Sequence, residues 1–156
     1  MVMWRNALAG SRDLYWTAST DGGKTFSAGK KLGMGTWLLS ACPMDGGDIT
    51  VDRDGVAETI WRRQDQIFFS GPSGAEELVG SGKNPAIIHG ASGRYLAWED
   101  SAKNCVVLLK PGAKVPIPLG TNSTYVDLVA GPGGKIIAAW EENENGKKSI
   151  KTLSLS

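Results

Sequence analysis

The sequence predicts an all-β chain. Three observations carry this. Helical periodicity is almost absent, short β-branched and aromatic runs recur, and Gly, Asp and Asn break those runs at close intervals. Glycine makes up 21 of 156 residues, about twice average usage, as frequent tight turns require. An apolar fraction of 41% against 21% charged residues is enough to build a core, and the length fits one domain over residues 1–156.

The tryptophans set the order of the elements. Val2-Met3-Trp4-Arg5-Asn6 matches Thr59-Ile60-Trp61-Arg62-Arg63, Leu96-Ala97-Trp98-Glu99-Asp100 and Ala138-Ala139-Trp140-Glu141-Glu142. Each reads as an apolar strand, a Trp, then two polar residues, with spacings of 57, 37 and 42. A strand and tight turn precede the last three: residues 48–51 with turn 52–55, 84–88 with turn 91–93, and 125–129 with turn 132–134. A further strand follows each Trp strand, at 13–16, 66–69, 105–109 and 149–153. A weaker fourth strand follows three times, near 28–32, 77–79 and 115–119.

Four antiparallel strands repeated every ~40–45 residues are the pattern of propeller blades. The sequence therefore predicts a β-propeller of four-stranded antiparallel blades, about three and a half per chain. Strands covered on both faces need not alternate, as Ile87-Ile88 and Val106-Val107-Leu108-Leu109 do not. Each of the four Trp is expected to wedge between blades, burying on the order of 200 Å2. The first unit has no innermost strand before Val2, and the last has no outer strand after Ser156. Open edges and a free blade face predict self-association, with a symmetric dimer as the commonest solution.

Charge and composition exclude several classes. A formal net charge of +1 argues against a general nucleic-acid or membrane-surface binder. No apolar run reaches the roughly 18 residues of a membrane span. Strand-like residues begin at Val2 and the basic Arg5 follows, so no export signal is read and the compartment stays open. Cys42 and Cys105 sit in no CxxC pair and read as separate thiols, and no metal or cofactor is expected. His89 ends an apolar run and reads as structural. Asp52-Arg53-Asp54-Gly55 begins like a calcium loop, but its twelfth position is Arg63 rather than Glu, so it reads as a turn.

Ser19-Thr20-Asp21-Gly22-Gly23-Lys24-Thr25-Phe26 falls between the third and fourth strands of the first unit. It matches the Asp-box, Ser-x-Asp-x-Gly-x-Thr followed by an aromatic, with Ser19, Asp21, Gly23, Thr25 and Phe26 in the motif positions. The carboxylate is expected to accept turn N–H groups, the glycines to take positive φ, and the aromatic ring to tuck beneath. The turns at Gly71-Pro72-Ser73-Gly74 and Pro111-Gly112-Ala113 have lost the motif. With Arg12-Asp13-Leu14-Tyr15, Gly35-Thr36-Trp37 and Cys42-Pro43-Met44-Asp45-Gly46-Gly47, the chain resembles the sialidase superfamily of Asp-box (BNR repeat) propellers. It is most similar to the C-terminal half of bacterial sialidase-like proteins.

That resemblance implies a six-bladed whole, relatives that are often exported, and a site on the face opposite the Asp-boxes. Alternating strand direction then puts the ends of the Trp strands on the site-like face. The candidate ligand-facing residues are Arg5, Asp45, Arg62, Glu99, Tyr125 and Glu141. Asp45 leads, because a Gly-rich loop lets a carboxylate approach a ligand. The bland alternative is charged strand ends pairing with each other. Sialidases hold the substrate carboxylate with three arginines and use a Tyr nucleophile activated by Glu. The Phe/Tyr-Arg-Ile-Pro segment of the first clamp Arg is absent, and no residue here aligns one by one with a catalytic position. Two functions follow. One is a non-catalytic segment that binds a glycan or protein through self-assembly. The other is a glycoside hydrolase completed by oligomerisation.

Overall fold

The computed structural model describes residues 1–71 and 73–155. Pro72, in the predicted turn at residues 71–74, and Ser156 lie outside the described residues. Among the described residues, fourteen strands form four antiparallel meanders in chain order. The first sheet holds β1 (Val2–Arg5), β2 (Leu14–Thr17) and β3 (Lys30–Lys31). The second holds β4 (Gly47–Val51), β5 (Ala57–Arg63), β6 (Gln66–Ser70) and β7 (Glu76–Ser81). The third holds β8 (Lys83–Gly90), β9 (Gly93–Asp100), β10 (Cys105–Leu109) and β11 (Ile117–Leu119). The fourth holds β12 (Ser123–Ala130), β13 (Ile136–Glu144) and β14 (Lys147–Leu155). Cys42 and Cys105 are free thiols, the first exposed and the second buried.

Side-chain hydrogen bonds fix the turns. Asp52 Oδ1 accepts N–H bonds from Asp54 (2.9 Å) and Val56 (2.8 Å), which closes the β4–β5 hairpin around Gly55 at φ 81°. Asp100 does the same between β9 and β10, accepting from Ala102 (3.1 Å) and Lys103 (3.2 Å).

Three apolar clusters lie between successive sheets. Leu14 and Leu32 meet Trp61 and Phe68 between the first and second sheets. Ile60, Ile67 and Phe69 meet Ile87, Leu96, Trp98 and Val107 between the second and third. Val106, Leu108 and Leu119 meet Leu128, Ala138 and Trp140 between the third and fourth. Neighbouring residues of one strand serve opposite clusters, Trp61 one and Ile60 the next, as the two-residue period of a strand dictates. Each of these Trp faces the sheet before its own. Trp4 occupies the same place on the first sheet, stacked on Tyr15, and remains 36% exposed because no sheet covers it.

A glycine receives each covered ring. A Cβ on Gly33 would stand 2.8 Å from Trp61 Cζ2, one on Gly80 2.5 Å from Trp98 Cζ2, and one on Gly120 3.0 Å from Trp140 Nε1. Gly80 has no positive-φ constraint, so its requirement is purely steric. Gly80→Ala is expected to cost about 1–3 kcal/mol by overpacking. Gly46→Ala, with nothing within 4 Å of its Cβ, should be near neutral. Urea midpoints of the two variants check this.

Candidate functional site

The six predicted ligand-facing residues separate into two clusters, with Glu141 beside the second. Arg5, Asp45 and Arg62 come together where β1, β5 and the loop before β4 converge. The Asp45 side chain is only 3% exposed. Its Oδ2 lies 3.3 Å from Arg62 Nη1 and accepts the Asn84 N–H at 3.4 Å. Its Oδ1 pairs with Arg5 Nη2 at 3.9 Å, beyond hydrogen-bond reach, and has no hydrogen-bond partner. One carboxylate therefore ties the first, second and third sheets together. Arg5 and Arg62 each lie 5.3 Å from the Trp37 ring centroid. Arg5 donates further to the carbonyls of Arg12, Asp45 and Arg62, while Arg62 donates to Gln64 O and pairs with Asp65 at 3.2 Å. Burial lowers the Arg5 pKa from its ordinary value; Asp45 opposes that shift and Arg62 adds to it.

This cluster leaves almost no space. The cavity bordered by Arg5, Arg12 and Arg62 measures about 10 Å3, at the lower limit for a single water. The two arginines are consumed by an internal carboxylate and an aromatic ring.

Glu99 and Tyr125 form the second cluster. Glu99 is buried, and its Oε1 accepts from Asn84 Nδ2 (2.6 Å) and the Tyr125 backbone N–H (2.7 Å), which joins the third sheet to the fourth. Its Oε2 lies 3.5 Å from Lys83 Nζ. Asn84 (φ 49°) and Tyr125 (φ 53°) both adopt left-handed backbone at a register shift in β8 and β12, which turns their N–H groups toward the preceding sheet. The Tyr125 side chain is 68% exposed. A cavity of about 200 Å3 beside Glu99 is lined by Lys83, Asp100, Asn104, Ser123 and Thr124. Glu141 lies opposite Thr124, beside the second cluster, and pairs with Lys148 at 2.9 Å within its own sheet.

The Ser19–Phe26 turn is held by its own polar groups. Asp21 Oδ1 accepts from Lys24 N and Thr25 N, each at 3.0 Å, and Oδ2 accepts from Thr25 Oγ1 at 2.6 Å. The Ser19 hydroxyl donates to Asp21 Oδ1 at 2.7 Å and accepts from Gly23 N at 2.8 Å. Gly22 and Gly23 have φ 73° and 86°. The Thr25 and Ser19 bonds hold the Asp21 carboxyl far below the ordinary range. Phe26 departs from expectation. Its ring is 50% exposed rather than tucked beneath, since hydrogen bonds alone satisfy the turn and the surrounding segment is itself exposed.

Other bracing groups escaped the sequence reading. Asp48 Oδ2 accepts the Ile87 N–H at 2.8 Å, bonding β4 to β8, and burial pushes its carboxyl above the ordinary value. Glu76 takes Arg63 in bidentate fashion, both contacts at 2.6 Å, and accepts Met34 N at 3.1 Å. Their partners lie 13 to 42 residues away, so no local motif marks them.

The Arg63 bond depresses the Glu76 carboxyl below its ordinary value of 4.5. A depressed native pKa contributes stability that is complete above the unfolded value and is lost as pH falls through the native one. Glu76→Gln should therefore be less stable at pH 7 and should lose less than the unaltered chain below about pH 4.5. Urea midpoints across that range measure it.

Among the described residues no group of three or more His, Cys, Asp and Glu could hold a metal ion, and no helix is long and apolar enough to cross a membrane. Compared with protein-family models, the chain matches none. Compared with curated proteins, it also matches none.

Proposed function

We propose that the chain is a non-catalytic sector of an Asp-box β-propeller that works by associating with a second copy of itself. The tryptophan repeat, the three apolar clusters between successive meanders and the self-bonded Ser19–Phe26 turn support the propeller reading. The observation that carries the non-catalytic part is Asp45. A clamp for a ligand carboxylate needs guanidinium groups free to meet it. Arg5 and Arg62 are instead neutralised by a carboxylate only 3% exposed and pressed against Trp37.

Two uncovered faces support self-association. On the first sheet Trp4 stands where Trp61, Trp98 and Trp140 meet a preceding sheet. On the fourth, Val129 and Ile150 are exposed, the latter at 71%, with Ile137 and Ala139 half-buried beside them. Paired register puts Val129 opposite Ile137 and Ile150 opposite Glu141, on one face. Seating that face on the Trp4 face of another copy would cover Trp4, Val129 and Ile150 at a junction more polar than those inside the chain, because Glu141 and Lys148 share the face. The polar cavity of about 200 Å3 beside Glu99 offers room for a single sugar.

Incubation of the purified chain with reporter glycosides tests the reading. No release is expected. Sugar release that is lost in Arg62→Ala would favour a glycoside hydrolase completed by oligomerisation.

A further inference from the structure

A cavity of about 370 Å3 lies between the first and second sheets, at the strand ends remote from Asp45. Trp16, Lys30, Lys31, Leu32, Val56 and Ala57 line it, and no acidic side chain does. We propose that this cavity binds a small aromatic carboxylate, with its ring on the Trp16 indole and its charge at Lys30. The inference goes beyond the non-catalytic reading and holds whether or not the sheets belong to a ring.

The internal repeat shows what Trp16 lacks. Trp16 pairs with Met3, one residue before Trp4, and both pack toward the second sheet. Phe69 pairs with Ile60, one residue before Trp61, and Leu108 pairs with Ala97, one residue before Trp98. The three are therefore equivalent. Opposite each, on the next sheet, the repeat places the residue four before that sheet's Trp, on the face the Trp shares. For Phe69 that residue is Arg94, whose guanidinium lies 3.7 Å from the ring centroid. For Leu108 it is Ile136, 2% exposed and in the same apolar cluster. For Trp16 it is Ala57. A methyl group cannot reach where a guanidinium or a branched butyl group reaches. The indole accordingly stays half-buried, while Phe69 is 5% exposed. The cavity is that shortfall, and its volume falls within the roughly 300–1,000 Å3 of small-ligand sites.

Charge selects among flat ligands. Lys30 stands opposite Trp16 in register, so its side chain lies on the same face. It makes no ion pair among the described residues, whereas Lys31 is held by Asp13 at 3.0 Å. A planar cation like the one over Phe69 would meet an ammonium and no counter-charge here. An aromatic ring stacks on the indole, Leu32 and Val56 supply apolar sides, and a carboxylate accepts from the Lys30 ammonium.

Titration with indoleacetate, tryptamine and acetate at equal ionic strength, followed by amide chemical shifts, tests this. Indoleacetate should saturate and move the amides of Trp16, Lys30 to Gly33 and Val56 to Thr59. Tryptamine carries the same ring with a positive charge and should bind about tenfold more weakly. Acetate carries the charge without the ring and should not saturate. Ala57→Ile gives this junction what Ile136 gives the third, so it should abolish binding with no loss in thermal midpoint. Lys30→Ala should bring the two indoles level. Equal affinity of the unaltered chain for both indoles, no saturation by millimolar indoleacetate, or undiminished binding in Ala57→Ile overturns the proposal. If Ala57→Ile fails to fold, Lys30→Ala and the indoleacetate-to-tryptamine ratio of the unaltered chain decide it.

Discussion

Trp98→Ala is expected to remove about 3–5 kcal/mol of stability, the largest loss from any single truncation in the chain. Trp98 is 1% exposed and stands among Ile60, Ile67, Phe69, Ile87, Leu96 and Val107, so it closes the interface between the two four-stranded sheets. Its ring lies against Gly80 and Gly82. A Cβ at Gly82 would come 1.8 Å from the Glu99 carbonyl oxygen, so the backbone on that side cannot move in to fill the void. Truncation leaves a cavity, and the measured cost is the lost transfer energy plus the uncollapsed space. The indole Nε1 is buried and has no hydrogen-bond partner. Trp98→Phe therefore gives up ring area but also removes an unsatisfied donor, and should cost well under half as much. Trp4→Ala, at the same place on the uncovered first sheet, should change the stability of the isolated chain by less than about 1 kcal/mol. Urea denaturation with an unchanged slope separates these three cases.

Asp45→Ala should cost about 3 kcal/mol, because it leaves two part-buried guanidinium groups beside each other with no counter-charge. The Arg5 and Arg62 side chains are 13% and 17% exposed, enough to relax outward somewhat, which holds the loss at the low end for broken buried pairs. The same change removes the acceptor for the Asn84 N–H, so the third sheet loosens with the first two. Asp45→Asn separates the causes. It keeps an oxygen for Asn84 but not the charge. If it costs nearly as much as the alanine variant, charge is the larger part. Asp45→Ala with Arg62→Met should recover part of the loss, since the double change removes the orphaned cation. Thermal and urea midpoints of the set report the coupling.

How much of this was legible follows from distance along the chain. The strands and turns were readable because their signals are local: a two-residue apolar period, a Trp at a fixed place, and Asp or Gly at the bend. Asp52 closes its own hairpin within four residues, and Asp21 does the same for its turn. The order of the meanders followed from the repeat. The ends of the Trp strands were less legible. Arg5, Arg62 and Glu99 read as a charged rim open to a ligand, yet each finds partners far away in sequence: Asp45 lies 40 residues from Arg5, and Tyr125 lies 26 from Glu99. A loop aspartate gives no sign in its own segment that it will bridge three sheets. Left-handed backbone at Asn84 is a familiar choice for that residue, but at Tyr125 no composition reading would place it. The glycines behind the tryptophans were hidden for the same reason. Gly80 touches Trp98 only because the outer strand of one sheet meets the next sheet face to face.

The propeller reading makes one demand on the chain in solution. Trp4 repeats the place of the three covered Trp, and Val129, Ile137 and Ile150 stand on the outer face of the fourth sheet beside the Glu141–Lys148 ion pair, so in a sector of such a ring neither face should stay in water. Light scattering on the purified chain at several concentrations measures this directly. The account predicts a mass above 16.5 kDa that rises with concentration and falls back toward it in Trp4→Ala. A monomer of 16.5 kDa at every concentration would contradict it.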